Sequence, residues 1–325
     1  MRLLKLVPDN TNIDFMKWRN IALILSIVVT VASIALVFTR GLNWGVDFVG
    51  GQSVRVTFAQ APNLDQLRSR VSGLGLGEAS LQEFGAPNVI AIRMPLPEGG
   101  ETAATRAATQ VRSAITALHP EARFDAVETV SGKVSEELLR SGALAIALAM
   151  LGIAIYIWLR FEWQFGVGAL VTLFHDVWMT LGFFSLTQLE FNLNVVAAIL
   201  TIVGYSLNDT VVIYDRIRED LRKYRKMEIV PLINTSLNET LSRTMVTSVS
   251  ILLALLALLL IGPDVIFGLT IAIFIGIFVG TYSSIYISSP ILVWLRVNTG
   301  SFLPKDPVSR SGRGPRNESF DGARV

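Results

Sequence analysis

Six stretches of this chain are apolar over the length that a lipid bilayer demands, and no other feature limits the possible folds as much. A helix needs about 20 mostly apolar residues to cross the hydrocarbon core. Residues 20–38, 141–159, 165–187, 193–214, 245–262 and 266–294 each supply such a run. With 51% hydrophobic and only 17% charged residues, the composition does not suit a water-soluble globule. Gly262, Pro263 and Asp264 read as a tight turn between the last two spans. The first stretch follows Arg2, Lys5, Lys17 and Arg19 in the manner of a signal peptide. It is longer than such a peptide's apolar region, and "VFTRGLNWG" offers no small-residue cleavage site, so it is expected to stay as an anchor.

Lys and Arg in the short loops set the orientation of such a chain. They crowd the N-terminal arm, the 215–243 loop (Arg216, Arg218, Arg222, Lys223, Arg225, Lys226, Arg243) and the tail, whereas "QLEFN" at 188–192 and "GPDV" at 262–265 have none. Both termini and the 215–243 loop are therefore expected on the cytoplasmic side. The chain divides into an arm (1–19), a first span (20–38), an α+β domain on the far side (39–138) and a second span (139–159). Spans three and four (165–187, 193–214), the cytoplasmic loop (215–243), spans five and six (244–262, 266–295) and a tail (296–325) follow. The tail is rich in Gly, Ser, Pro and Arg and reads as disordered.

Within the extramembrane segment, "QSVRVTFA" (52–59) alternates as a strand does, "NLDQLRSRVSGLG" (63–75) starts at a plausible Asn63 cap, and "ASLQEFG" and "NVIAIRMP" are extended. "ETAATRAATQVRSAITALHP" (101–120) is an amphipathic helix stopped by Pro120, and "RFDAVETV" (123–130) is a last strand. Strand, helix, strand, strand, helix, strand predicts a ferredoxin-like unit of about 90 residues, enough for its own core.

Cysteine is absent and there are two histidines, which leaves no thiol chemistry and little for a zinc centre; a net charge of +2 argues against nucleic acid as a partner. No GxxxxGK[ST], HExxH, GxSxG or CxxC pattern occurs. An enzyme is not expected, nor a resident cofactor or metal.

The polar residues inside the spans carry the functional signal. In "YSLNDTVVIYDRIRED" (205–220), Asn208 and Asp209 stand among Ile202, Val203, Leu207, Val211 and Val212. A carboxylate in the bilayer core costs roughly 2.5–3.5 kcal/mol on insertion scales, so such a residue asks for a function and a partner. Positions 205, 208, 209, 212 and 216 share a helical face, placing Tyr205, Asn208, Asp209 and Arg216 in one stripe toward the bundle interior. Arg243, in "NETLSRTMVTS", begins the next span on the same side and is the expected partner; hydroxyls of Thr240, Ser242, Thr244, Thr247 and Ser248 lie along the way. An acid whose cationic partner moves is a proton carrier. The plainer reading is a helix-end charge near the interface, with Arg243 snorkelling to headgroups. Asp215, Arg216, Arg218, Glu219 and Asp220 read as a solvated helix extension.

His175 and Asp176 sit mid-span in "TLFHDVWMT", as a second relay element or as a polar contact holding two helices together. Glu162 is expected at the interface, and Trp18, Trp44, Trp158 and Trp163 at span ends in an aromatic belt. Gly276 and Gly280, with Ser283, Ser284 and Ser288, form a small-residue face for close helix packing. Asp47, Gly50 and Gly51 in "NWGVDFVGGQ" read as a rigid hinge, Asp47 capping the turn.

Taken together, "GVDFVGG" after the first span, "GYSLNDTVVIYDRIRE" in the fourth and "LNETLSRTMVTS" at the fifth resemble the SecF family of bacterial protein-export membrane proteins, of the resistance-nodulation-division superfamily. The resemblance runs to about residue 297. It implies that Asp209 and Arg243 are the proton-pathway residues, and that the chain is an inner-membrane partner of SecD. It also implies that the pair uses the proton motive force to help draw secreted, unfolded polypeptides from the SecYEG channel, in company with SecA and YajC-type subunits. Two rivals are a small-molecule/proton antiporter subunit of the same superfamily and a non-transporting translocase scaffold.

Overall fold

The computed structural model describes residues 8 and 11–297. The tail from 298 onward and most of the arm before residue 11 lie outside the described residues.

A 3₁₀ turn, Phe15–Trp18, leads into α1 (Arg19–Thr39), followed by the two-residue strand β1 (Asn43–Trp44) and the single turn α2 (Val46–Val49). The α+β domain comprises β2 (Gly51–Thr57), α3 (Leu64–Ser72), β3 (Ser80–Phe84), β4 (Ala86–Met94), α4 (Gly100–Leu118) and β5 (Arg123–Val130). Then come α5 (Gly132–Arg160), α6 (Trp163–Thr187), β6 (Glu190–Phe191), α7 (Leu193–Lys223), α8 (Ile229–Ile261) and α9 (Phe267–Ser283). A π-helical turn, Ser284–Ser288, continues α9 into α10 (Ser289–Trp294). Six helices are long and apolar enough to cross a membrane, α9 and α10 counting as one, so the chain is a multi-pass membrane protein.

The domain is ferredoxin-like, as its sequence order predicts. Its sheet runs β3-β4-β2-β5 with every neighbouring pair antiparallel. Alternation turns Val54, Val56, Ile90 and Ile92 toward the helices, where they bury with Leu67, Val71, Val111 and Ile115. Asn63 caps α3, its Oδ1 accepting from the amides of Asp65 and Gln66 at 3.0 and 3.1 Å.

Three helices make the centre of the bundle. About half of the apolar window of α6 and α7 is buried (50% each) and 44% of that of α9–α10, against 11% for α5 and α8 and 17% for α1. The centre closes on small residues. A Cβ on Gly276 would fall 2.3 Å from Ile202, and one on Gly280 3.2 Å from Ser206, so α7 and α9 approach as closely as backbone allows.

The 215–243 segment is not a loop. α7 runs to Lys223 and α8 starts at Ile229, leaving only residues 224–228 between them. These extensions form because Ile217, Leu221, Leu232, Ile233 and Leu237 bury a common core with Phe15 and Met16. The incoming chain is strapped onto α8: Asn238 exchanges two hydrogen bonds with the Ile13 backbone (2.8 and 2.9 Å), and Asn234 accepts from the Met16 amide at 3.0 Å.

Candidate functional site

Near the middle of α6, Asp176 is fully buried among polar side chains. Its Oδ1 lies 2.9 Å from His175 Nδ1, and its Oδ2 accepts from Ser206 Oγ at 2.5 Å and from Ser283 Oγ at 2.9 Å. One carboxylate thus ties together α6, α7 and α9. A buried polar group without partners costs about 1–3 kcal/mol, and here each member answers another. Asp176 therefore holds three helices together at the heart of the bundle, with His175 bonded to it from the neighbouring position on α6.

Asp209 lies one turn further along α7 from Ser206 and is 3% exposed. The hydroxyl that reaches it is Ser248 of α8, at 3.5 Å, and Ser248 in turn accepts from Thr281 Oγ1 of α9 at 2.8 Å. On the next position of α7, Thr210 meets Ser284 of the π turn at 3.1 Å. Two acids are therefore embedded in hydroxyls contributed by α7, α8 and α9.

The expected ion pair of Asp209 with Arg243 is not formed. Arg243 is exposed on α8, and among the described residues no cation stands within ion-pair range of Asp209. The reason is helical phase: Thr244 and Ser248, one turn apart, face α7 and are buried, which turns Arg243 about 100° aside.

The expected stripe also shifts. Asn208 is exposed, and the buried face of α7 is Ile202, Ser206, Asp209, Thr210, Ile213 and Ile217 instead. Tyr205 is half-buried, with a hydroxyl that has no partner among the described residues. Position 208 leaves the face because the true buried arc centres between positions 206 and 210. The periodic pairs Ser206/Thr210 and Thr244/Ser248 carried that signal in the sequence.

Asp220 also departs from the expected solvated position. It is fully buried rather than solvated, because it accepts from Ser236 Oγ of α8 at 2.7 Å and lies 3.6 Å from Arg216 Nε. Arg216 also binds Glu239 at 2.6 Å and Glu219 at 2.8 Å. Glu162 pairs with Arg218 at 3.4 Å, and Arg160 with Asp215 at 3.0 Å.

At the other end, the α2 turn couples the domain to the bundle. Asp47 caps not its own turn but α7, accepting from the Leu193 amide at 2.8 Å. Gly50 (φ 74°) and Gly51 (φ 122°) take left-handed conformations. A Cβ on Gly51 would sit 2.7 Å from the Met94 carbonyl. Arg93 of β4 reaches Glu190 at 3.0 Å and Asn43 at 2.9 Å, and Gln82 of β3 donates to the Gln188 carbonyl at 2.6 Å. Trp44 meets Phe48 and Phe191 edge-to-face, with ring centroids 5.6 and 5.4 Å apart, and so forms part of this joint. Trp18, Trp158 and Trp163 are exposed at helix ends.

Comparison with known proteins agrees in sequence and shape. Residues 110–298 match the family described as protein export membrane protein SecD/SecF, C-terminal, and residues 35–62 match the SecD/SecF GG motif. Protein translocase subunit SecF of Cereibacter sphaeroides is 43% identical over 91% of this chain and 94% of its own length. The same-named protein of Ketogulonicigenium vulgare is 40% identical over 98% of this chain and 97% of its own. The crystal structure of SecDF, a translocon-associated membrane protein from Thermus thermophilus, matches 88% of this chain at 33% identity with a TM-score of 0.81. A SecDF structure in a super-membrane-facing form matches the same share at 34% identity with a TM-score of 0.65. This chain spans 39% of the length of either SecDF chain. Sequence identity is nearly equal in the two cases, so the difference in fit is one of shape.

Proposed function

The chain belongs to the SecD/SecF family of protein-export membrane proteins, and from that premise we propose that it is the SecF half of a proton-driven SecD–SecF unit serving the protein translocase. In this reading it lies in the bacterial inner membrane with both termini cytoplasmic. It works beside SecYEG, with SecA and YajC-type subunits, and uses the proton motive force to promote late export of unfolded polypeptides.

The observation that carries the proposal is Asp209: an acid buried mid-span, reached by one long hydroxyl contact and, among the described residues, by no cation within ion-pair range. With Arg243 turned away, gain or loss of one proton at Asp209 alters how α7 and α8 pack. Bringing Arg243 inward requires α8 to turn, and Arg243 is assigned to that second arrangement. The unequal fit to two SecDF structures supports a family that changes shape. One charge crossing 100 mV supplies about 2.3 kcal/mol, enough to bias two packings that differ by little. Asp47 caps α7 at one end and the α2 turn leads into β2, so a shift of α7 reaches the α+β domain through a short covalent and hydrogen-bonded path.

Export of a secreted reporter is the test, in cells carrying Asp209→Asn or Arg243→Ala at normal membrane abundance. The proposal expects export to fall to that of cells lacking the chain. Full export sinks it in favour of a scaffold, and intact export with lost drug resistance sinks it in favour of an antiporter.

A further inference from the structure

The sheet of the α+β domain has two edges, and the structure treats them differently. β3 is tied down: Gln82 donates to the Gln188 carbonyl, and the strand leans on the bundle. β5 is bare. Among the described residues nothing pairs with its outer side, and Arg123, Asp125, Val127, Glu128 and Thr129 are all exposed, on both faces of the strand. An open strand is a template for another chain, and proteins blunt such edges with bulges, Lys or Pro. Here a register shift opposite Arg55 and Val56 disrupts only the first part of β5; from Val127 to Val130 pairing with β2 is regular and neither Lys nor Pro intervenes.

Beside this edge α4 stops short of covering the sheet, leaving a groove of about 360 Å³. Val54, Ala108 and Val127 give it an apolar floor, and Arg112 stacks over Phe124 at 4.9 Å on its rim. Gln52 lines it while 1% exposed. Its Nε2 is bound to the Ala104 carbonyl and Thr129 Oγ1, and its Oε1 has no partner among the described residues. A buried acceptor left open is costly; Arg55 Nε and Nη1 and Arg93 Nε share that state elsewhere in the domain, and of these groups Gln52 lines the groove, where an incoming donor would satisfy it.

We propose that the free edge of β5 and the adjoining groove bind an extended polypeptide segment, added as a further strand with one of its side chains seated over Gln52. Strand addition draws its affinity from main-chain hydrogen bonds, which every sequence offers, while pockets beside the edge add selectivity at alternate positions. That chemistry suits an unfolded chain of arbitrary sequence. The inference rests on the reading above, in which this domain meets exported polypeptide.

The chain has no cysteine, so Val127→Cys in the full-length protein gives a unique thiol. De-energised membrane vesicles with the α+β domain outward would be mixed, under a mild oxidant, with unstructured peptides whose single cysteine is moved one position at a time. The expected result is disulfide formation at every second peptide position, lost when Thr109→Trp fills the groove from its exposed rim. Equal crosslinking at all positions, or none, overturns the proposal. So does a strand-like crosslink from the thiol of the Val127→Cys variant to another membrane subunit before peptide is added, since that subunit would then own the edge. No gradient is present, so Asp209→Asn should crosslink as the unaltered chain does. Absent crosslinking alongside intact gradient-driven export removes this docking site alone, whereas alternate crosslinking with normal export by Asp209→Asn removes the proton reading alone.

Discussion

In the α+β domain, two helices press Leu67, Val71, Val111 and Ile115 onto Val54, Val56, Ile90 and Ile92, none more than 1% exposed. In the centre of the helical bundle, the side chains just as deeply buried include Asp176, Thr172, Thr180, Ser206, Ser283 and Ser284. The domain is stabilised as soluble proteins are, by taking apolar surface out of water. The bundle cannot be, because its outer leucines meet lipid as readily as they would meet one another. It is held by close approach of small residues and by hydrogen bonds. Polar groups in the bundle centre are mostly partnered; Asp209, buried with one long hydroxyl contact among the described residues, is the exception, and in the function proposed above it is the point of change.

Four substitutions sharpen or break this contrast. Asp176→Leu should be the most damaging, since Ser206, Ser283 and His175 all lose their acceptor; at about 1–3 kcal/mol for each stranded group, the loss exceeds roughly 3 kcal/mol. Thermal unfolding in detergent and membrane abundance would report it, and a mild effect would show that the serines re-pair locally. Ile92→Ala, in the water-facing domain, should cost about 2–5 kcal/mol. Hydrogen exchange should rise in β2, β4 and β5 while α6, α7 and α9 stay protected; loosening of the bundle would mean the two regions are one cooperative unit. Gly276→Val forces a side chain against Ile202 and should cost about 1–3 kcal/mol, read as lower thermal stability with the α+β domain unaffected.

The smallest effect belongs to the joint between the regions. Burial raises the carboxyl of Glu128 above the ordinary glutamate range, aided by Glu190 and Asp47 and opposed by Arg55, whose Nη2 lies 3.7 Å away, and by Arg93. An acid raised in the folded state gives stability present below its unfolded value and lost as pH rises through the folded one. Glu128→Gln should therefore leave stability unchanged in acid and add a gain of about a few tenths of a kcal/mol at neutral pH, the group being 46% exposed. A loss at neutral pH in a denaturation series would instead make the Arg55 contact dominant.

Much of this was legible from the residues. Apolar runs of bilayer length marked the six helices, and alternation with glycine breaks marked the ferredoxin-like order. Facing was harder to read. Around Asp209 both neighbours along the helix are plausible interior residues by type, and only the hydroxyl pairs at four-residue spacing would have turned Asn208 outward. Arg243 was misplaced for the same reason, because adjacent positions on a helix differ by about 100°. A helix extension was legible as far as Asp220, but its buried face and the early start of α8 were hidden by charge, although Ile217, Leu221, Leu232, Ile233 and Leu237 recur at helical spacing. Asp47 as a cap for α7, some 146 residues away in sequence, depends on tertiary contact that no local pattern contains.

The account turns on Asp209 changing its charge inside the bundle. Infrared difference spectroscopy of the full chain in lipid, recorded as the medium is acidified, sees the carbonyl band of a carboxylic acid as it forms. The account predicts a band, shifted by deuterium exchange, that disappears in Asp209→Asn and persists in Asp220→Asn. A spectrum unchanged by Asp209→Asn would contradict it.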